Sequence, residues 1–410
     1  MVGWFVSRLY YGWRIVAACL IAALFANALC LFGAGVYLQV LVESRKWSTG
    51  TVSGAITLLY VTSALLLVPV GGGVGRVGPR PIFALGTVAL ATAVAAIGQV
   101  TQPWQAYVVA LMMGVGWACL STTAVATTLA PWFERHQGRA VSIASLGASV
   151  GGMVGAPLLL FGIAQLGFSL ATAVAAVLTL VAVLPLALLV MKRRPQDLGL
   201  LPDGGTRTGM GLAAASPVRW RRRAALGTAA LRSVMLGFGM GMMVQVGFVT
   251  HQVALLLPSL GAAGTSLTVA ATAAAALLAR LVLARFADQI SPRRAAAAMM
   301  ATAAGALAAM ALSPVSPVLV LGSILMGMTI GNVTTLSPIV VRREFGALSF
   351  GAVYGVASSA IQLAMALGPS LYGVLHDAFG DYRAPLLLAA AVDLAAAAVI
   401  AAGGIRAAPP

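Results

Sequence analysis

Gly71-Gly72-Gly73-Val74-Gly75-Arg76-Val77-Gly78-Pro79-Arg80 has an echo in the second half of the chain, Ala284-Arg285-Phe286-Ala287-Asp288-Gln289-Ile290-Ser291-Pro292-Arg293. Each is a polar turn following an apolar run, and Pro79-Arg80 falls on Pro292-Arg293 at an offset of 213 (292 minus 79). Independently, Gly155-Ala156-Pro157 falls on Leu367-Gly368-Pro369 at 212 (369 minus 157). Two near-equal offsets from separate places indicate a duplicated unit.

The runs around these turns set the class. The 410 residues are 60% hydrophobic and 8% charged, whereas soluble domains carry about 25% charged residues. Apolar segments long enough to span a bilayer recur at 13–40, 49–73, 81–100, 104–131, 140–163, 168–191, 228–256, 263–286, 295–313, 317–341, 349–375 and 384–404. The chain therefore reads as an all-α integral membrane protein, with twelve transmembrane helices as two pseudo-symmetric six-helix bundles. The expected domains are 1–191 and 225–410, joined by a basic linker, 192–224, whose Pro, Gly and Arg residues suit a segment lying on an anionic leaflet.

A net charge of +16 invites a nucleic-acid reading, which the placement of the cations opposes. With alternating topology, eighteen of the 25 Lys and Arg fall outside the spans on one side, against Arg45, Lys46 and Arg383 on the other. This positive-inside bias puts both termini in the cytoplasm, and a bacterial inner membrane is the expected location. The first apolar segment exceeds a secretory h-region and lacks a cleavage pattern, so it is expected to remain as the first helix. Trp13, Trp47 and Trp104 read as interfacial anchors. Cys19, Cys30 and Cys119 lie in apolar runs without metal spacing and read as packing residues. No phosphate-cradling loop or nucleophile triad is present, so neither enzymatic chemistry nor a cofactor is expected.

Arg280 is the charge that demands an explanation. By helical rise it lies about 12 Å before Asp288, which puts it near the midplane if Asp288 marks the bilayer surface. An arginine there costs about 2.5–3.5 kcal/mol on insertion scales, so it should face a cavity or a partner. A substrate carboxylate is the functional expectation, through a charge-assisted and bidentate bond. An ion pair with Asp393 is the competing one.

Around it, Asn27, Tyr37, Tyr60, Asn332, Ser359 and Gln362 are spanning polar groups suited to a small organic anion, with interhelical hydrogen bonding as the structural alternative. His251 and Asp393 are the candidates for carrying a coupled proton. Gly147, Gly151, Gly152 and Gly155 give the fifth span a small-residue face, for packing or for a hinge. Gly71, Arg76, Gly78, Arg80, Asp288 and Arg293 of the repeated turns, with Glu134 and Arg135 after the fourth span, are cytoplasmic in this topology.

The duplicated turn, with Gly12-Trp13 opening the first span, resembles the major facilitator superfamily. Trp132-Phe133-Glu134-Arg135-His136-Gln137-Gly138-Arg139-Ala140, Arg193-Arg194-Pro195-Gln196-Asp197-Leu198-Gly199 and Arg280 are similar to bacterial relatives of the monocarboxylate transporters and oxalate/formate antiporters. The resemblance implies alternating access, an anion held by Arg280, and gate motifs formed by Gly71, Arg76, Gly78, Arg80, Asp288, Arg293, Glu134 and Arg135. Three departures stand out. Gly75 replaces the acid of the first turn, Ala276 stands where animal monocarboxylate transporters carry an aspartate, and 349–375 lacks the second cation of the oxalate/formate type. A single buried cation favours a monoanion.

The expected function is thus secondary transport of a small organic monocarboxylate by proton symport. Carboxylate/carboxylate antiport is the near alternative, efflux of an amphipathic compound a distant one, and a non-transporting membrane receptor the reading from another class. The expected partners are a small carboxylate, a proton and the lipid bilayer, with no nucleic acid, for a chain acting as a monomer.

Overall fold

The computed structural model describes residues 10–133, 136–204, 222–286 and 290–404, all helix and turn with no strand among them. The helices are α1 (Tyr11–Arg45), α2 (Thr49–Val77), α3 (Pro79–Ile97), α4 (Pro103–Leu129), α5 (Gln137–Leu166) and α6 (Phe168–Val190). Then come the continuous stretch Ala229–Phe286, α9 (Pro292–Leu312), α10 (Ser316–Phe345), α11 (Ala347–Ala366 continued by Gly368–Phe379) and α12 (Arg383–Ala402). Ala229–Phe286 has 58 residues, about 87 Å of helix against ~30 Å of hydrocarbon. It must therefore cross twice. The break is at Gly261, whose φ of 64° no ordinary side chain adopts readily, and it yields α7 (229–260) and α8 (262–286). The described chain thus has twelve membrane-length helices, with the seventh and eighth meeting inside the gap between the two expected spans.

Large apolar side chains point outward all along these helices, among them Leu65, Val68, Phe161, Val181, Leu189, Leu281 and Val374. Such a surface would aggregate in water and suits lipid. Without a hydrophobic drive between helices in a bilayer, close packing of small residues has to hold them together.

The chain forms two compact units, Met1–Gly33 with Thr62–Leu212, and Ala34–Val61 with Ala213–Pro410. The division cuts α1 just after its π-helical stretch, Asn27–Phe32.

In the first unit α5 lies along α1. A Cβ on Gly147, Gly151 or Gly155 would strike Leu20 O, Leu24 O or Ala28 respectively, so these glycines serve close packing. The open carbonyls ending α6 are satisfied by three different elements: Tyr11 Oη donates to Val190 O (2.7 Å), Arg80 Nε to Met191 O (2.7 Å) and Trp132 Nε1 to Lys192 O (3.4 Å). The segment that follows folds back onto the same unit. Asp197 caps the one-turn helix Pro195–Leu198 by accepting from Arg194 N (3.1 Å), the Asp203 N–H donates to Trp132 O (3.0 Å), and His136 meets the Asp203 carboxylate (3.1 Å). Tyr10 donates to Trp132 O and Leu201 O, and burial followed by the Asp203 charge pushes its phenol up to about 12. Thus the first part of the expected linker is bonded to the bundle, while 205–221 lies outside the described residues.

The second unit has a core of Phe238, Leu283, Met300, Leu336, Phe345 and Ile400. Here α7 runs along α12, with Gly237 against Ile400 and Gly241 beside Asp393.

Candidate functional site

Gly327-Met328-Thr329-Ile330-Gly331 on α10 decides where Arg280 sits. The two glycines, one turn apart, face α8: a Cβ on Gly327 would strike Thr272 O, and one on Gly331 would strike Ala276 O. This small-xxx-small pair brings the two backbones together, and the next turn of α8 is Arg280. The Arg280 guanidinium, half-buried, donates through Nε to Gly331 O (2.9 Å) and through Nη2 to Thr334 Oγ1 (3.3 Å). Thr334 and Thr335 also donate to Gly331 O (2.9 and 3.0 Å). The cation is thereby aimed by neutral groups on one helix. Ala276, where the resembled transporters carry an acid, is in contact with Gly331.

Asp393 is fully buried and neither carboxylate oxygen has a hydrogen-bond partner, so the competing hydrogen-bonded pair with Arg280 is not formed. Asn27, Asn332 and Ser359 each bond to their own helix, through Ala23 O (2.8 Å), Met328 O (3.1 Å) and Gly355 O (3.0 Å). The Asn332 amide also faces Met299 of α9. Tyr37 and Tyr60 are buried in the second unit, and Gln362 is half-buried on α11. Asn27 belongs to the first unit.

Of the two expected proton carriers, His251 is the well-bonded one. Its ring is 1% exposed, stacks on Tyr372 (centroids 5.6 Å apart), and approaches Pro369 O and Ser53 Oγ through Nε2 (3.0 and 3.1 Å) and Tyr382 Oη through Nδ1 (3.0 Å). Burial, and then the Asp377 charge, raise the Tyr382 phenol above its usual range, which keeps its O–H available to donate to Nδ1 of a neutral ring. Nε2 must then carry the proton and donate to Pro369 O, because a carbonyl can only accept. In the neutral ring this arrangement selects the Nε2–H tautomer. Nearby, Asp377 accepts from the first backbone N–H groups of α2, Thr49 N (3.0 Å) and Gly50 N (2.7 Å), and Thr57 Oγ1 meets Ser370 Oγ (2.7 Å).

The gate motifs are placed as follows. Gly78 has φ 90° and opens α3, while Gly71 packs near Thr123 and Arg76 is exposed. Where the acid of this turn is replaced, the Gly75 carbonyl instead accepts from Arg193 Nη2 (2.7 Å). In the second copy Arg293 is paired with Glu344 (2.5 Å) and donates to Ser233 Oγ, Ala230 O and Ile400 O. Asp288, Glu134 and Arg135 lie outside the described residues. Tyr372, Tyr382, Ser53 and the α10 glycine pair were not singled out from sequence, and only the glycine pair has a local signature there.

A family model described as Major Facilitator Superfamily matches residues 20–264 and 234–410. Two crystal structures of a bacterial homologue of the human lysosomal transporter Spinster share the fold. The inward-facing, occupied form has a TM-score of 0.73 at 14% identity over 95% of each chain. The inward-facing, unoccupied form has 0.69 at 16% identity over 96% of this chain and 95% of that one. Curated protein sequences give no significant match.

Proposed function

Since the chain belongs to the Major Facilitator Superfamily, we propose that this multi-pass secondary transporter carries a small organic monocarboxylate together with a proton. The observation that supports this reading is Arg280, a cation within a spanning helix, seated on the Gly331 carbonyl and the Thr334 hydroxyl. A guanidinium oriented in advance by its support loses less on binding a carboxylate than a wandering one. Tyr37, Tyr60, Ser359 and Gln362 of the same unit are the proposed hydrogen-bonding company. A single cation suits one carboxylate.

Energetics favour the co-transported proton. An inward-negative potential opposes anion entry by about 2.3 kcal/mol per charge per 100 mV, and a proton moving with the anion cancels that charge. We read the two chain-order halves, 1–191 and 225–410, as the six-helix bundles of alternating access, in a bacterial inner membrane with both termini cytoplasmic. The duplication and the one-sided cations support that reading.

Thermal unfolding of the purified chain with short mono- and dicarboxylic acids at two pH values tests the substrate class. A monocarboxylate should stabilise the wild type and leave Arg280→Lys unmoved. Stabilisation by hydrophobic cations and by no acid would overturn it.

A further inference from the structure

Asp393 is ten residues inside Arg383, the first residue of α12, so it lies about 15 Å along that helix. At 0% exposure both its oxygens lack a hydrogen-bond partner. It sits beside Gly241 of α7, where a Cβ would be 3.7 Å from Oδ1. One turn farther on the same face of α7, Gln245 is 1% exposed with neither amide atom bonded. Tyr372 of α11 packs against Gly247 of α7, is 1% exposed with its hydroxyl unbonded, and lies within electrostatic reach of Asp393.

Buried polar groups are nearly always bonded, so three unbonded ones on adjoining parts of three helices need a reason. An ionised carboxylate without a partner is far costlier at such a place than the neutral acid. The charges nearest along the packed elements are already engaged. Arg293 of α9 meets α12 at Ile400, two turns away, and pairs with Glu344. At the level of Asp393, α9 presents Met300 and α7 presents Gly241. From α11 the titratable group nearest Asp393 is Tyr372, followed a turn later by His376 beside Asp377 (3.8 Å), and His251 farther along α7 has both ring nitrogens bonded. Met300 adds no oxygen and Gly241 no side chain, so a sodium ion would find side-chain ligands only in Asp393, Gln245 and Tyr372, fewer than the cage such an ion prefers.

We propose that Asp393, with Gln245 and Tyr372 beside it, is the proton-carrying site of this transporter, and that His251 is a structural histidine. The inference rests on the proton-coupled reading above. Loading is transfer of a proton from hydronium to a carboxylate oxygen, forming the O–H bond and leaving water. Release breaks that O–H bond, returns the proton to water and leaves the carboxylate, once α7, α11 and α12 part enough to wet it. Gln245 and Tyr372 offer donors to the carboxylate, and the Gln245 carbonyl offers an acceptor to the acid.

Infrared titration of the full chain in lipid nanodiscs, in sodium-free buffer, reads this directly. With only nine acidic residues in the sequence, a carboxylic-acid C=O band persisting at neutral pH should be assignable. It should vanish in Asp393→Asn, shift in Asp393→Glu and remain in Asp381→Asn. In proteoliposomes, pH-gradient-driven accumulation of labelled acetate, lactate or pyruvate should be lost in Asp393→Asn. Absence of the band in the wild type, its survival in Asp393→Asn, or its removal by sodium at constant pH overturns the proposal. Undiminished gradient-driven accumulation in Asp393→Asn also overturns it and leaves the carboxylate reading standing. If the band behaves as expected while the wild type accumulates none of these acids, the carboxylate reading fails and the proton site stands.

Discussion

Arg80 and Arg293, 213 residues apart (293 minus 80), each tie the last helix of their own half to its third. Arg80 Nε donates to Met191 O at the end of α6 (2.7 Å), and Arg293 Nη1 donates to Ile400 O near the end of α12 (3.1 Å). The physical need is the same in both places. A helix end leaves carbonyls without intrahelical donors, and a long guanidinium from a neighbouring helix can reach them. The turn repeated in sequence is therefore a repeated tie in structure. The second copy adds further partners: Arg293 also donates to Ser233 Oγ and Ala230 O and has Glu344 as an ion-pair partner.

That difference makes the second tie the more sensitive one. Arg293→Ala leaves the mostly buried Glu344 carboxylate uncompensated, with an expected loss of about 3–5 kcal/mol. Arg293→Ala with Glu344→Gln together should recover part of it. A double-mutant cycle of unfolding free energies in detergent checks the coupling, and purely additive losses would show that the pair contributes no mutual stabilisation.

Gly331→Ala tests how Arg280 is placed. The new methyl group would meet Ala276 O and crowd Arg280 Cγ, at 3.0 Å. Overpacking of this kind costs about 1–3 kcal/mol, and here it should also weaken substrate retention by displacing the guanidinium. Gly305→Ala, whose Cβ meets nothing within 4 Å, is the matched control and should leave both the thermal midpoint and binding close to wild type.

His251→Ala should destabilise more than it uncouples. It leaves Tyr382 Oη and Pro369 O without their histidine partner, a loss of about 1–3 kcal/mol in a buried place. The pH dependence of uptake should persist in the folded fraction. Uptake that became independent of pH, at unchanged stability, would return the proton to this ring.

Much of the architecture was legible because helices in lipid must be long, apolar and broken by recognisable turns. Pro79-Arg80 with Pro292-Arg293 pointed to a duplication, and the break at Gly261 falls in the gap expected between the seventh and eighth spans. Arg280 stood out because charge is rare in such segments. Its support did not, since Gly327 and Gly331 lie in a chain with 46 glycines, where any spacing occurs often. The surroundings of His251 were illegible for another reason. Ser53, Pro369 and Tyr382 are 198, 118 and 131 residues from it, and periodicity within one helix carries no information about which neighbour meets which face. For Asp393 the sequence left open an arginine partner or a proton-carrying role, and the packing of α7 on α12 puts Gly241 beside it.

The central claim is that Arg280 holds a carboxylate, and counterflow in proteoliposomes addresses it without requiring a driving ion. Labelled acetate, lactate or pyruvate should exchange through the wild type. Arg280→Ala, folded to the same thermal midpoint, should exchange it about ten- to a hundredfold more slowly, the scale of losing a charge-assisted hydrogen bond of ~1.5–3 kcal/mol. Counterflow at the wild-type rate in Arg280→Ala would contradict the account.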